Sequence, residues 1–412
     1  MKKILVILDG ASDLPVGSFA GKTPLEIADT PNMDFFASKG KQGYMYPINE
    51  KTIPGSDNSL ISLFGNDPKN CKRGIYEAIG AGFELKRGDL AVRTNFGTIE
   101  DIKLRVVIDR RAGRTLTTRE ARALVETLNK KINLNCKFEM KSTVQHRGVL
   151  VLRGGFSDNI SNIDSEWNIP GRKDKKFEFS KPLDDEENSK YASCALNNFA
   201  NQAFGILESH LVNFERKKKG MFPANMVFMR GGGVEKQKLK QYKSWMSINS
   251  MPLEVGIAKL SGMRNFSFDI PELKTIEVYD NLYASLNKKI KFAIKTLKRS
   301  HKDFLGCYIQ FKETDIPGHD NKPRDKKKML EIIDKKFFSF LKKMVLKNDW
   351  KVVVTCDHST PCKLKSHSSD PVPVLVYDGR SGDKTTNFNE KQSRSGSLGR
   401  MYGKDFMKKA GL

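Results

Sequence analysis

Cysteine and histidine are both scarce in this 412-residue chain, six of each. The cysteines (Cys71, Cys136, Cys194, Cys307, Cys356, Cys362) are scattered and form no Cys-x-x-Cys pair. That excludes a disulfide framework and a four-thiolate zinc site, and it fits a reducing compartment. No apolar run approaches the ~20 residues that cross a bilayer. Behind Met1-Lys2-Lys3 the apolar stretch is only Ile4 to Leu8 before Asp9 intervenes, too short for a secretory signal. A cytoplasmic protein without membrane contact is therefore expected. Acidic residues are short too, with 48 Asp+Glu against 72 Lys+Arg for a net charge of +24. Excess cation rewards phosphate backbones. The lysines, however, are spread along helix-like runs such as Lys326-Lys327-Lys328, Lys335-Lys336 and Lys342-Lys343, with no aromatic-basic module among them. Nucleic acid is not the expected partner, whereas a positive crevice that draws small phosphorylated molecules is compatible with this charge. A homo-oligomer is left open.

What the chain does hold is concentrated. Three of its six histidines stand between residues 319 and 367, in Asp315-Ile316-Pro317-Gly318-His319, Asp357-His358 and His367. Carboxylates with imidazoles are the ligands of Zn²⁺ or Mn²⁺. Asp357 directly follows the apolar run Lys351 to Cys356, Asp315 follows Phe304 to Phe311, and Asp9 ends Ile4 to Leu8. Strands that each deliver an aspartate at the carboxyl end describe the ligand crevice of an open α/β sheet. In Ile53-Pro54-Gly55-Ser56-Asp57-Asn58-Ser59-Leu60, a Pro-Gly turn feeds an apolar helix with Ser56 as its expected N-cap. The helix mouth favours an anionic phosphoryl group, and a neighbouring metal turns Ser56 into a candidate nucleophile. Seven residues then fit two adjacent cation sites: Asp9, Ser56, Asp357 and His358 for one, Asp315, His319 and His367 for the other. Such a pair activates an in-line phosphoryl transfer.

In chain order, Thr23 and Thr30 each precede a proline at the start of a helix. Residues 74–88 are glycine-spaced and read as a loop. Strands follow at 90–96 and 106–108, the latter ending in the arginine-rich turn Asp109-Arg110-Arg111-Ala112-Gly113-Arg114, which suits bidentate clamping of carboxylate or phosphate. Thr117 opens a helix to about residue 131, and strands surround His146-Arg147. Residues 155–190 read as a polar crossing segment, 191–217 as one long helix, 225–229 as a strand leading to Arg230, and 234–250 as a return linker. The last third alternates helix and strand, which means a parallel sheet. Asp9 reaches the cluster only if the first strand joins that sheet. The expected division is thus a metal-binding core of residues 1–72 and 246–412 with a substrate-binding α/β domain, 73–245, inserted into it.

These blocks, from Leu8-Asp9-Gly10 through Pro54-Gly55-Ser56-Asp57, Arg93-Thr94-Asn95-Phe96 and Lys312-Glu313-Thr314-Asp315 to Asp357-His358-Ser359-Thr360-Pro361-Cys362, resemble the archaeal-type 2,3-bisphosphoglycerate-independent phosphoglycerate mutases of the alkaline phosphatase superfamily. The resemblance runs nearly end to end. It implies an alkaline-phosphatase-like α/β core and interconversion of 3- and 2-phosphoglycerate through phosphoserine at Ser56. It implies two divalent ions on the seven residues, Mn²⁺ foremost, with Zn²⁺, Co²⁺ or Mg²⁺ as alternatives. It implies substrate contacts from Arg93, Asp109, Arg110, Arg111, Arg114, His146 and Arg230, and a charge-neutralising role for Lys312. The chain departs from the family pattern at Leu60, Val255 and around Asn162. Those departures motivate an alternative, a metal-dependent phosphatase or homoserine-kinase-like phosphotransferase on the same scaffold.

Overall fold

Strand β1 (Lys2–Leu8) is completely buried from Ile4 to Leu8, so it must be paired on both edges and covered on both faces. A computed structural model, which describes residues 1–164, 176–273, 277–380 and 382–412, shows how. Among the described residues, β1 shares a sheet with β2 (Lys41–Tyr46), β8 (Trp245–Ile248), β9 (Arg264–Phe266), β10 (Gly306–Phe311), β11 (Trp350–Thr355), β12 (Val372–Tyr377) and β13 (Gly399–Tyr402). The strand order is β13-β2-β12-β11-β1-β10-β8-β9. β1 pairs in parallel with β10 and β11, so Leu8 lies level with Phe311, and Asp9, Asp357 and the segment leading to Asp315 emerge together at one end. The sheet is not wholly parallel as the helix–strand alternation predicts, because β12 runs antiparallel to both neighbours. No crossover helix separates β11 from β12. The chain returns through residues 356–371, and a strand that re-enters without a crossover must reverse.

The second sheet contains β3 (Leu90–Ile99), β4 (Val107–Asp109), β5 (Phe138–Ser142), β6 (Arg147–Leu152) and β7 (Met226–Gly233), all antiparallel, with a hydrophobic core of its own. β8 rejoins the large sheet from within the stretch expected to be a linker, and β2, β9 and β13 also escape the sequence reading.

Residues 73–80 are a helix, not a loop. Its glycines serve close packing rather than turns. A Cβ on Gly80 would lie 1.9 Å from the Pro252 carbonyl oxygen, and one on Gly256 would lie 1.8 Å from that of Tyr76. Helices 73–80 and 252–260 therefore touch backbone to backbone where the two sheets meet. The expected single helix at 191–217 is two, Glu187–Glu208 and Leu211–Lys218. The break comes at His210, whose Nδ1 accepts the Val212 N–H at 3.1 Å and so acts as an N-cap. Thr23 closes a capping box with Glu26, but Thr30 makes no side-chain cap. Asp334 caps the helix at 31–39 instead, accepting the N–H groups of Asn32 and Met33 at 3.2 and 2.7 Å.

Glu390, on a short helix that no sequence signal marks, braces two loops. Its carboxylate accepts the Thr23 hydroxyl at 2.7 Å and the Asp13 N–H at 2.9 Å. Burial pushes its pKa up to about 7. Because the folded value is raised, the stabilising contribution is present below the unfolded value and is lost as pH climbs through about 7. Glu390→Gln is expected to flatten the fall in Tm between about pH 4.5 and 7 relative to wild type, both with saturating divalent ion. Superimposable curves would disprove this.

Candidate active site

Each of the seven candidate ligands sits on a loop at the carboxyl end of the large sheet, apart from Ser56 at a helix start and Asp315 and His319 on the single turn Asp315–His319. Their arrangement follows from what their other atoms do. His358 Nδ1 lies 3.1 Å from Thr360 Oγ1, whose hydroxyl donates to Asp315 Oδ1 at 2.7 Å. That hydroxyl proton is committed, so the His358 Nδ1 must carry the hydrogen between them. His367 Nδ1 faces the Pro54 carbonyl at 2.8 Å and His319 Nδ1 the Lys365 carbonyl at 3.1 Å. Carbonyls only accept. In all three imidazoles Nδ1 thereby carries a hydrogen and Nε2 turns into the site. Despite burial, Asp315 raises the pKa of His319, so any proton on that Nε2 must leave before it can bind metal.

These Nε2 atoms face carboxylates. His358 Nε2 is 3.6 Å from Asp9 Oδ1, 3.5 Å from Asp357 Oδ2 and 3.2 Å from Ser56 Oγ. His319 Nε2 is 3.4 Å from Asp315 Oδ2, and His367 Nε2 is 3.6 Å from Asp315 Oδ1. Donors about 2.0–2.1 Å from one tetrahedral ion stand ~3.4 Å apart. Asp9 Oδ1 is fully buried with no hydrogen-bond partner. Burial, then the neighbouring Asp9, raises the Asp357 pKa well above the carboxylate range, and burial raises that of Asp9 despite Lys312. Burial and then His367 push His358 well below the ordinary imidazole value. Burial opposes ionisation of Asp315 too, but His319 and His367 hold it well below the usual range. A buried cluster with two raised carboxyls, a neutral imidazole and an orphaned oxygen is short of positive charge. Divalent cations fit it. The His358 and His367 rings also stack at 3.7 Å, which places His358 between the two expected groups.

Gly10 is required by this crowding. Its φ is +56°, and a Cβ there would fall 2.5 Å from both Asp315 Oδ1 and Thr360 Oγ1. Gly10→Ala is expected to cost more than about 1–2 kcal/mol from the backbone alone and to lower bound metal. Thermal melts and metal analysis check it, and a variant with wild-type values in both would contradict the reading.

Ser56 is not the N-cap. Gly55 holds that position, and Asn58 Oδ1 accepts the Gly55 N–H at 2.8 Å, so the Ser56 hydroxyl is released to face His358. The sequence reading names Lys312 but misses Gln310 and Glu254, which support the candidate cation site beside it. Gln310 Nε2 donates to Asp9 Oδ2 and, at 3.1 Å, to Asp357 Oδ2. Lys312 Nζ bonds Asp9 Oδ2 at 2.6 Å and Glu254 Oε1 at 2.8 Å, and despite burial these two acids keep it charged.

The substrate-binding candidates divide. Asp109 Oδ1 accepts the N–H groups of Arg111 and Gly113 at 2.7 and 2.8 Å, so its job is the turn itself. Arg110 makes a bidentate pair with Asp164, and Arg114 pairs with Asp320 at 2.7 Å across to the core. Arg93, Arg111, His146 and Arg230 remain with open polar groups. Among the described residues, the Nε atoms of Arg93 and Arg230 and His146 Nδ1 make no hydrogen bond, although Glu77 and Asp164 carboxylate oxygens stand 3.4 and 3.8 Å from the two Nε atoms. Burial and the nearby Arg114, Arg147, Arg110 and Arg230 depress Arg111 to about 9. Burial, Arg147 and Arg111 push His146 well below its usual value. Arg73 and Arg147, absent from the sequence selection, join this cluster around Glu77, which Arg73 reaches at 2.6 Å. A helix start and a strand start gave no sign of them.

The departures are accommodated. Leu60 is core, Val255 is buried beside Glu254, and Asn162 Oδ1 accepts the Gly231 N–H at 2.9 Å while Asp164 anchors Arg110. Ser165 and Glu166, which complete that segment, lie outside the described residues.

The family model described as 2,3-bisphosphoglycerate-independent phosphoglycerate mutase matches residues 37–213. Enzymes of that name from Pyrococcus abyssi and Methanopyrus kandleri are 36% and 37% identical, with 98% of this chain covered in both and 96% and 94% of theirs. Among solved structures, a protein from Pyrococcus horikoshii matches with a TM-score of 0.74 at 28% identity, covering all of this chain and 97% of its own. The cofactor-independent phosphoglycerate mutase from Thermoplasma acidophilum matches with 0.57 at 28% identity, covering 99% and 98%. With relatives above 30% identity along almost its whole length, the chain belongs to the 2,3-bisphosphoglycerate-independent phosphoglycerate mutase family.

Proposed function

We propose that this chain interconverts 3-phosphoglycerate and 2-phosphoglycerate without 2,3-bisphosphoglycerate, through a phosphoserine at Ser56. The observation that carries the reading is the set of three imidazoles oriented through Nδ1 so that their Nε2 atoms face Asp9, Asp315, Asp357 and the Ser56 hydroxyl. Asp9, Ser56, Asp357 and His358 would hold one divalent ion, and Asp315, His319 and His367 the other, with Mn²⁺ the ion we favour. When bound, such ions lower the pKa of the serine hydroxyl and offset the charge of the transferring phosphoryl group.

The chain's own residues do the rest. Ser56 Oγ, freed from capping, attacks the phosphorus of the bound phosphoglycerate. The Ser56 hydroxyl gives up its proton, the phosphoryl–oxygen bond to the glycerate breaks, and the departing glycerate oxygen takes up a proton. In the return step the other glycerate hydroxyl loses its proton and attacks the phosphorus, the phosphoryl–Ser56 bond breaks, and Ser56 regains its proton. Lys312 has spent two of its three N–H donors on Asp9 and Glu254, which leaves one for a phosphoryl oxygen. Arg93, Arg111, Arg147, Arg230 and Arg73, with His146, would hold the carboxylate of the glycerate while it turns to offer its other hydroxyl. The Arg114–Asp320 bridge links the second sheet's arginine-rich turn to the segment beyond His319. Among the described residues no helix is long and apolar enough to cross a membrane.

The test is purified protein with 3-phosphoglycerate and Mn²⁺, free of 2,3-bisphosphoglycerate, with 2-phosphoglycerate followed through enolase. Product without release of inorganic phosphate supports the mutase. Release of phosphate alone would make the protein a phosphatase, and transfer to it from a nucleotide would make it a kinase-like phosphotransferase.

A further inference from the structure

The ligands sit on separate loops, and their spacing depends on what joins those loops. Lys326, on the helix Pro323–Ile333, is fully buried. Its ammonium reaches Asp13 Oδ2 at 2.8 Å, the Thr360 carbonyl at 2.9 Å and the Ser12 carbonyl at 3.3 Å. An ammonium has three N–H donors, and all three are used. Asp13 also accepts the Cys362 N–H, at 3.0 and 3.2 Å to its two oxygens. The pair thus stitches residues 12–13, just beyond Asp9, to residues 360–362, just beyond His358. Further bonds run the same way. The Thr360 N–H donates to the Ser12 carbonyl at 3.1 Å, and the Ser368 N–H, next to His367, donates to the Ser359 carbonyl at 3.1 Å. At the centre stands the Thr360 hydroxyl, which touches His358 on one side and Asp315 on the other, one ligand from each expected group.

A buried ion pair is a weak source of stability, and apolar residues of like volume often serve as well. Apolar residues cannot, however, satisfy two carbonyls and an N–H at set positions. We propose that Lys326 and Asp13 are positioning residues for the two-ion site, acting through Thr360 to hold His358 and Asp315 at a common spacing. This inference rests on the two-ion reading above.

Lys326→Met is expected to weaken binding of divalent ion about ten- to hundred-fold, read as Mn²⁺ titrated by calorimetry into the metal-free protein. The kcat should fall in parallel while KM for 3-phosphoglycerate stays near the wild-type value, and the visible absorption of the Co²⁺-loaded protein should change. Thr360→Val should reproduce these effects, and the double variant should be no worse than the stronger single one, because both act through one hydroxyl. If Lys326→Met does not fold, Lys326→Gln, whose shorter side chain and two N–H donors cannot meet all three acceptors, replaces it in the same cycle. Wild-type Mn²⁺ affinity in the Lys326 variant, or additive losses in the double, would overturn the proposal. Wild-type protein that binds fewer than two ions would instead remove the two-ion reading. Two ions bound with equal affinity by wild type and variants would leave that reading standing and remove only the positioning role.

Discussion

Ser56→Ala is expected to lose mutase turnover on the order of 10⁴-fold or more while melting close to the wild-type temperature. The size follows from removing the atom that forms the intermediate, since loss of a nucleophile is not shared out among the remaining groups. The preserved melt follows from the helix start. Gly55 and Asn58 carry the cap, so the Ser56 hydroxyl contributes nothing to helix termination. An ordinary serine N-cap would instead be worth ~1 kcal/mol. The coupled enolase assay gives turnover. Intact-protein mass spectrometry after quenching with 3-phosphoglycerate should find a phosphoryl group on wild type and none on Ser56→Ala. Undiminished turnover in the variant would show that the phosphoryl group travels by another route.

The second large effect is the loss of activity on removal of divalent ion. EDTA is expected to abolish turnover and added Mn²⁺ to restore it. The metal-free protein should also lose stability as pH rises from about 4 toward neutrality. Asp9 and Asp357 have folded pKa values raised above the unfolded ones, so their stabilising contribution is present in acid and fades as they are forced to ionise side by side. Bound cation reverses the sign of that cost, and the loaded protein should show a flatter Tm profile over the same range. His319→Ala probes one group alone. His319 is partly exposed and holds no backbone N–H, only its contact to the Lys365 carbonyl, so the fold should survive while bound metal and turnover fall. Turnover that persists in thoroughly chelated protein would rule out the two-ion mechanism.

The ligand set was legible in the sequence because its signal is one of residue type at strand ends. An apolar run that stops at Asp9 or Asp357 states both the burial and the place where burial ceases. The departures at Leu60, Val255 and Asn162 were legible only as differences. Their effect is decided by neighbours such as Gly231 and Arg110, which lie far away in the chain. Helix 73–80 went unseen because glycine is ambiguous. The same residue serves a turn and a backbone contact, and only the Pro252 and Tyr76 carbonyls show which. The division of the arginines was equally hidden. Arg110, Arg111 and Arg114 look alike in sequence, yet Asp164 and Asp320 occupy two of them and leave the third open.

The residue pattern alone, then, carries the α/β class, the delivery of three aspartates to one end of a sheet, and the choice of candidate ligands. Those depend on local periodicity and on chemistry that each residue carries with it. The tertiary structure decided the reversal of β12, the release of Ser56 from capping, the tautomers of three histidines and the buried Lys326–Asp13 stitch. Each depends on which partner the folded chain presents, from Asn58 beside Gly55 to Asp13 more than 300 residues from Lys326, or on the absence of a crossover helix. Hydrogen-bond capacity is a property of pairs, and pairing across such separations exists only once the chain has folded.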